Sequence, residues 1–123
     1  MDSKTSLGRK GEAIALRVLK ENGYRIVDRN VRARFGEIDV VARDGRTLCF
    51  IEVKARSGLA FGWPEEGVTS QKQWRLGRLA LWYLQSRRLI DVPVRFDVLS
   101  ILLSSEGNPP MRTRLIKGAF EVM

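Results

Sequence analysis

Apolar residues recur at helical spacing early in the chain, where Ala15, Leu16 and Leu19 form one stripe together with Gly8 and Glu12. This spacing predicts a helix over 4–22, with Ser3, Thr5 or Ser6 as N-cap and Gly23 as its stop. From Tyr24 onward the pattern alternates, which predicts a short strand over Tyr24–Asn30, a basic connection, and strands over Gly36–Arg43 and Arg46–Arg56. Asp44-Gly45 between the last two is a strong hairpin signal. A loop from Ser57 to Gly67, punctuated by Gly58, Gly62, Pro64 and Gly67, carries Phe61 and Trp63 as candidate contacts for a partner. Helical periodicity returns over 70–87, opened by a Ser70-x-x-Gln73 capping box and buried along Leu76, Ala80, Tyr83 and Leu84. A strand at Val92–Leu102, a turn through Gly107-Asn108-Pro109-Pro110 and a strand at Met111–Lys117 complete the pattern.

Helix, three strands, helix, two strands is the order of an α/β fold, a mixed central sheet flanked by helices. The first three strands should form an antiparallel meander, and the fourth, reached across a helix, can lie parallel to a neighbour. At 123 residues with no linker or repeat, one domain over 1–123 is expected. The longest unbroken apolar run, Leu79 to Leu84, is far too short for a membrane span. With a polar N-terminus, the chain is expected to stay in the cytoplasm and away from membranes.

Charge changes the picture. Lys plus Arg is 22 against 14 for Asp plus Glu, a formal +8 and a pI near 10.4. Arginine, whose planar fork suits phosphate oxygens, dominates that excess. Clustering points the same way: before Phe35 nine residues are basic and four acidic, and Lys72, Arg75 and Arg78 follow one another at three-residue spacing. A polyanion, first of all nucleic acid, is the expected partner, although net charge also serves solubility. Histidine is absent and Cys49 is the single cysteine, so imidazole catalysis, an internal disulfide and a Cys/His zinc site are excluded.

If Asp44-Gly45 is the turn, Arg43 pairs with Arg46, and counting back sets Val41 opposite Leu48, Asp39 opposite Phe50 and Glu37 opposite Glu52. Glu37, Asp39, Glu52 and Lys54 then share a face, three carboxylates beside one ammonium. Glu52 and Lys54 alone would read as a solvated ion-pair ladder; adding Asp39 and Glu37 turns the patch into a site that asks for a cation. All-oxygen ligands point to Mg²⁺ or Mn²⁺. Glu12 can reach the patch if its helix packs on this face, where Gly8 and Gly11 permit close approach. Cys49 falls on the opposite face with Ile51 and Val53, as a core residue.

Gly11-Glu12, Gly36-Glu37-Ile38-Asp39, Phe50-Ile51-Glu52-Val53-Lys54-Ala55-Arg56, Lys72 and Arg95-Phe96-Asp97 together resemble the uncharacterised bacterial YraN-like family. That family is similar to archaeal Holliday-junction resolvases within the PD-(D/E)XK nuclease superfamily, and the resemblance spans nearly the whole chain. It implies a three-layer restriction-endonuclease-like fold, with Asp39 and Glu52 as metal ligands, Lys54 positioning or activating the attacking water, and Glu12 as a further acidic member. Ile38 stands where the superfamily's named proline would precede Asp39.

The leading expectation is therefore a Mg²⁺- or Mn²⁺-dependent endonuclease acting on DNA, in particular branched or distorted DNA. Glu12, Asp39, Glu52 and Lys54 would carry the chemistry, and Arg34, Arg56, Lys72 and Arg75 would contact nucleic acid. The alternatives are a non-catalytic nucleic-acid-binding module with the same fold, and a structural domain whose charges serve solubility. A homodimer is left open, and Asp97 and Arg95, which can pair on one strand face, are left outside the site.

Overall fold

The run Leu48-Cys49-Phe50-Ile51 has no polar side, so a strand built from it needs cover on both faces. The computed structural model describes residues 3–57, 68–103 and 112–122 and supplies that cover. Its elements are α1 (Ser3–Glu21), β1 (Arg25–Ala33), β2 (Gly36–Asp44), β3 (Thr47–Ser57), α2 (Ser70–Ser86), β4 (Val94–Leu103) and β5 (Arg112–Phe120). The strands form one sheet in chain order, antiparallel except for the parallel pair β3 and β4, which α2 connects. Ala15 and Leu19 of α1 pack with Val40, Ala42, Cys49, Ile51, Leu99 and Ile101 on one face. Leu76, Leu79, Ala80 and Tyr83 of α2 pack with Ile38, Val41, Leu48, Phe50 and Phe96 on the other. The result is the expected α/β fold, a mixed sheet between helices, compatible with a three-layer nuclease-like architecture.

Several boundaries differ from expectation for local reasons. Gly23, at φ +88°, ends α1 in a Schellman arrangement in which the Tyr24 N–H donates to Leu19 O and the Gly23 N–H to Lys20 O. The candidate caps Ser3, Thr5 and Ser6, like Gly8, lie outside the residues whose side chains are described. The cap of α2 is Thr69, whose hydroxyl accepts from the Lys72 N–H at 3.3 Å, and not the Ser70-Gln73 box. Gln73 instead donates its side-chain amide to Val68 O. The expected basic connection is shorter, because β1 continues to Ala33 and only Arg34 and Phe35 turn the chain into β2. The hairpin register also moves: Asp44 pairs with Thr47, leaving Gly45 and Arg46 as the loop. Gly45, at φ +63°, holds the first central position, where a type II′ turn favours glycine. The loop with Phe61 and Trp63 and the Gly107–Pro110 turn lie outside the described residues.

One fully buried charge ties the sheet together. Asp97 on β4 has no exposed surface and accepts hydrogen bonds from Tyr24 Oη (2.7 Å), Arg95 Nε (2.8 Å) and the Gly118 N–H (2.9 Å). Gly118 adopts φ +62° beside the point where the β4–β5 register shifts, which turns its N–H onto the carboxylate. Arg95 continues to Asp44 at 2.8 Å, which Lys117 also reaches at 3.1 Å. Burial pushes the Asp97 carboxyl up, but its donors outweigh burial and hold it below the ordinary carboxylate range. Asp97 and Arg95 thus form the structural pair set apart in the sequence. Asp97→Ala should cost on the order of 3 kcal/mol in urea unfolding at pH 7, since it takes the acceptor from the Tyr24 hydroxyl and the Gly118 N–H and leaves Arg95 to pair with Asp44.

Candidate active site at the fork between β2 and β3

The β2–β3 ladder runs from the hairpin only as far as Val40 and Ile51. Beyond that pair, β2 stays bonded to β1 through Ile38, Glu37 and Gly36, while β3 stays bonded to β4 from Glu52 to Ser57. The sheet forks. Where the next rungs would lie, the Asp39 carboxylate accepts the Val53 N–H at 2.9 Å, so a side chain satisfies a donor that lost its strand partner. A kink accompanies the fork: Ile38 packs in the α2 core and Val40 in the α1 core, so strict alternation breaks at Asp39. On β1 the residue between the partners of Val40 and Ile38 is Asn30, held at φ +52°, a conformation that asparagine tolerates better than most residues.

The fork opens a cleft of about 480 Å³ lined by Glu37 and Asp39 from β2, Glu52 and Lys54 from β3, Arg29 and Asn30 from β1, and Glu12 from α1. Gly11 brings α1 against β3 so closely that a Cβ there would meet the Ala55 Cβ at 3.1 Å. The structure therefore gathers Glu12, Asp39, Glu52 and Lys54. It corrects the expected register, because the shifted hairpin directs Asp39, not Glu37, toward Glu52. Of the expected trio of carboxylates, Asp39 and Glu52 are direct neighbours, while Glu37 lines the same cleft and adds to the negative charge on Asp39. Glu37 turns toward Arg32 at 3.6 Å, and Glu12 accepts from the Asn30 side-chain amide. Among the described residues, no three Asp, Glu, His or Cys side chains are grouped so as to hold a metal ion.

Asp39 is partly buried beside Glu52, and burial followed by the neighbouring negative charge pushes its carboxyl up to about 7, against the Val53 hydrogen bond. Lys54 Nζ offsets part of that charge from 3.3 Å away at Glu52 Oε2. A second ammonium approaches from α2: Lys72 is held below the ordinary lysine range, chiefly because Lys54 lies within hydrogen-bonding reach. Two lysine amines thus meet beside Glu52, an arrangement suited to anionic oxygens, while the space between the carboxylates suits a divalent cation. Mg²⁺ commonly uses only one or two carboxylates, with waters and phosphate oxygens completing its shell, so Asp39 and Glu52 fit it.

None of the expected nucleic-acid contacts lines this cleft, and they lie on the elements beside it. Arg34 is exposed in the β1–β2 turn, Lys72 and Arg75 are exposed on the early turns of α2, and Arg56 lies two residues beyond Lys54 on β3. Asn30 and Arg29 were not foreseen as cleft residues, and an asparagine inside a strand pattern, a residue tolerant of positive φ, is the signal that could have marked the kink. Cys49 is buried with its thiol pushed up to about 12 by burial, consistent with a core role.

A family profile described as "Uncharacterised protein family UPF0102" matches residues 11–101, a stretch that contains Glu12, Asp39, Glu52, Lys54 and Lys72. The chain is 45% identical over 122 residues to a UPF0102 protein of Syntrophus aciditrophicus, covering 99% of this chain and 94% of that protein. It is 48% identical over 117 residues to one of Geobacter metallireducens (95% and 93% covered). It is 43% identical over 122 residues to one of Acetivibrio thermocellus (97% and 94% covered).

The raised Asp39 carboxyl has a stability consequence. Unfolded, an aspartate ionises near 4, whereas folded Asp39 keeps its proton to about 7, so stability falls as pH rises between those values. In metal-free buffer Asp39→Asn should therefore melt higher than wild type at pH 8, by on the order of a few kcal/mol, and the gap should narrow from pH 7 downward and close only below about pH 4. Thermal melts across that range check it; a constant gap would contradict the cause assigned.

Proposed function

The chain belongs to uncharacterised protein family UPF0102, and we propose that the forked-sheet cleft makes this protein a divalent-metal-dependent endonuclease of the PD-(D/E)XK kind, acting on DNA. The observation that carries this reading is the Asp39 and Glu52 pair with the Lys54 ammonium 3.3 Å from Glu52. Hydrolysing a phosphodiester requires a water oxygen to bond to phosphorus as the P–O bond to the leaving sugar oxygen breaks, with negative charge rising on the phosphoryl oxygens. Asp39 and Glu52 would hold Mg²⁺ or Mn²⁺, which when bound supplies charge neutralisation and activation of the attacking water. Lys54 would direct its ammonium at the developing charge, and Lys72 would hold a neighbouring phosphate oxygen. Glu12, bonded to Asn30, would fix the α1 wall of the cleft and add negative charge near the metal. Arg34, Arg56 and Arg75 extend the positive surface along which a DNA backbone would run.

A specific observation also favours a second reading, a nucleic-acid-binding module without chemistry. Glu37 is engaged with Arg32, and no three Asp, Glu, His or Cys side chains among the described residues are grouped so as to hold a metal ion. Lys54 separates the two readings. Lys54→Ala should lower single-turnover cleavage of flap or four-way-junction DNA at least roughly a hundredfold. DNA affinity should fall by no more than one phosphate contact's share of the salt slope. Equal losses of binding and cleavage, or no wild-type cleavage with either metal, would hand the case to the binding module. Millimolar Mn²⁺ should also raise the melting temperature of wild type and leave that of Asp39→Asn unchanged.

A further inference from the structure

The outer face of α2 carries an unexplained feature. Trp74 is 60% exposed, Phe35 in the β1–β2 turn is 38% exposed, and the Arg78 guanidinium lies 5.1 Å from the centroid of each ring. Neither ring belongs to either core cluster. Close packing sets the turn against the helix, since a Cβ on Gly36 would meet Leu79 Cδ1 at 3.1 Å and Arg75 Cδ at 3.5 Å. The feature shares its elements with the site: α2 carries Lys72 as well as Trp74 and Arg78, and the turn that holds Phe35 leads directly into Glu37 and Asp39 of β2.

We propose that Trp74, Arg78 and Phe35 form a platform on which an unpaired DNA base stacks, which gives the cleft a preference for strands that leave a duplex. The inference rests on DNA being the partner and names the structural class of that DNA. Charge selects this occupant: α2 contains no acidic residue, Arg78 lies over the exposed indole, and Lys72 and Arg75 add positive charge along the same helix. A second copy of the chain seated symmetrically on this face would oppose cation to cation, whereas a nucleotide brings an aromatic plane and a phosphate together. Bases within a duplex already have both planes covered by their neighbours, so only an unpaired or splayed base presents a free face to Trp74.

The test is binding in EDTA, where cleavage does not enter, using fluorescence anisotropy with single-stranded, flap and fully paired DNA of one sequence. Trp74→Ala should weaken single-strand and flap binding roughly five- to hundredfold and duplex binding less than twofold, while Trp74→Phe retains most of the affinity. A 2-aminopurine at the flap base should be quenched by wild type and not by Trp74→Ala. Because Trp74 is exposed, the variant should keep the wild-type melting curve, and that curve is recorded on the same preparation. Equal weakening for all three DNAs, or none, would overturn the platform while leaving DNA as the partner. A change in oligomeric state in Trp74→Ala would overturn it in favour of a second copy. Failure of wild type to bind any of these DNAs would overturn the platform together with the reading beneath it.

Discussion

The place where β2 parts from β3 is the constraint on which the site depends. Parting two strands in the middle of a sheet strands backbone donors and acceptors, which is costly unless each finds another partner. Here β2 keeps β1, β3 keeps β4, and the Asp39 carboxylate takes the Val53 N–H. The same bond fixes Asp39 beside Glu52 at the root of the cleft. Geometry and chemistry are therefore one arrangement: the carboxylate that tolerates the fork is the one whose proton affinity the fork raises.

Two aspartates on neighbouring parts of the sheet show how surroundings divide their roles. Asp97 is wholly buried yet held below the usual carboxylate range, because Arg95, the Gly118 N–H and Tyr24 all donate to it. Asp39 is less buried yet pushed up, because burial is reinforced there by the neighbouring Glu52 carboxylate and offset only by the Val53 N–H. A satisfied carboxylate stabilises the fold as it stands. An opposed pair stabilises it only when a proton or a metal ion intervenes, and that need is what makes the fork a candidate for chemistry.

Much of this was legible in the amino-acid sequence. The periodicity of residues around Leu16 and Leu76 marked both helices, the alternation through β2 and β3 marked the hairpin, and the order of elements implied the mixed sheet. Glu12, Asp39, Glu52 and Lys54 were nominated together and are together. What failed was register and alternation. Asp44-Gly45 suggested a turn one residue too early, because a glycine with positive φ serves either central position of a two-residue loop and only the ladder decides between them. The fork was hidden because pattern reasoning assumes that paired strands stay paired, and the break at Asp39 depends on a kink shared with Asn30. The approach of Lys72 to Lys54 was equally hidden, since it comes from the packing of α2 and not from any spacing along the chain.

Paramagnetic broadening by Mn²⁺ in amide-resolved NMR spectra of the wild-type protein reads the central claim most directly, because its steep distance dependence reports where the ion sits. The account predicts that substoichiometric Mn²⁺ broadens the amides of Ile38, Asp39, Glu52, Val53 and Lys54 first. Those of Gly11 and Glu12 should follow, while the amides beside Asp44 and Gly118 stay sharp. Broadening centred on Asp44 or Asp28, or none at any of these positions, would contradict it.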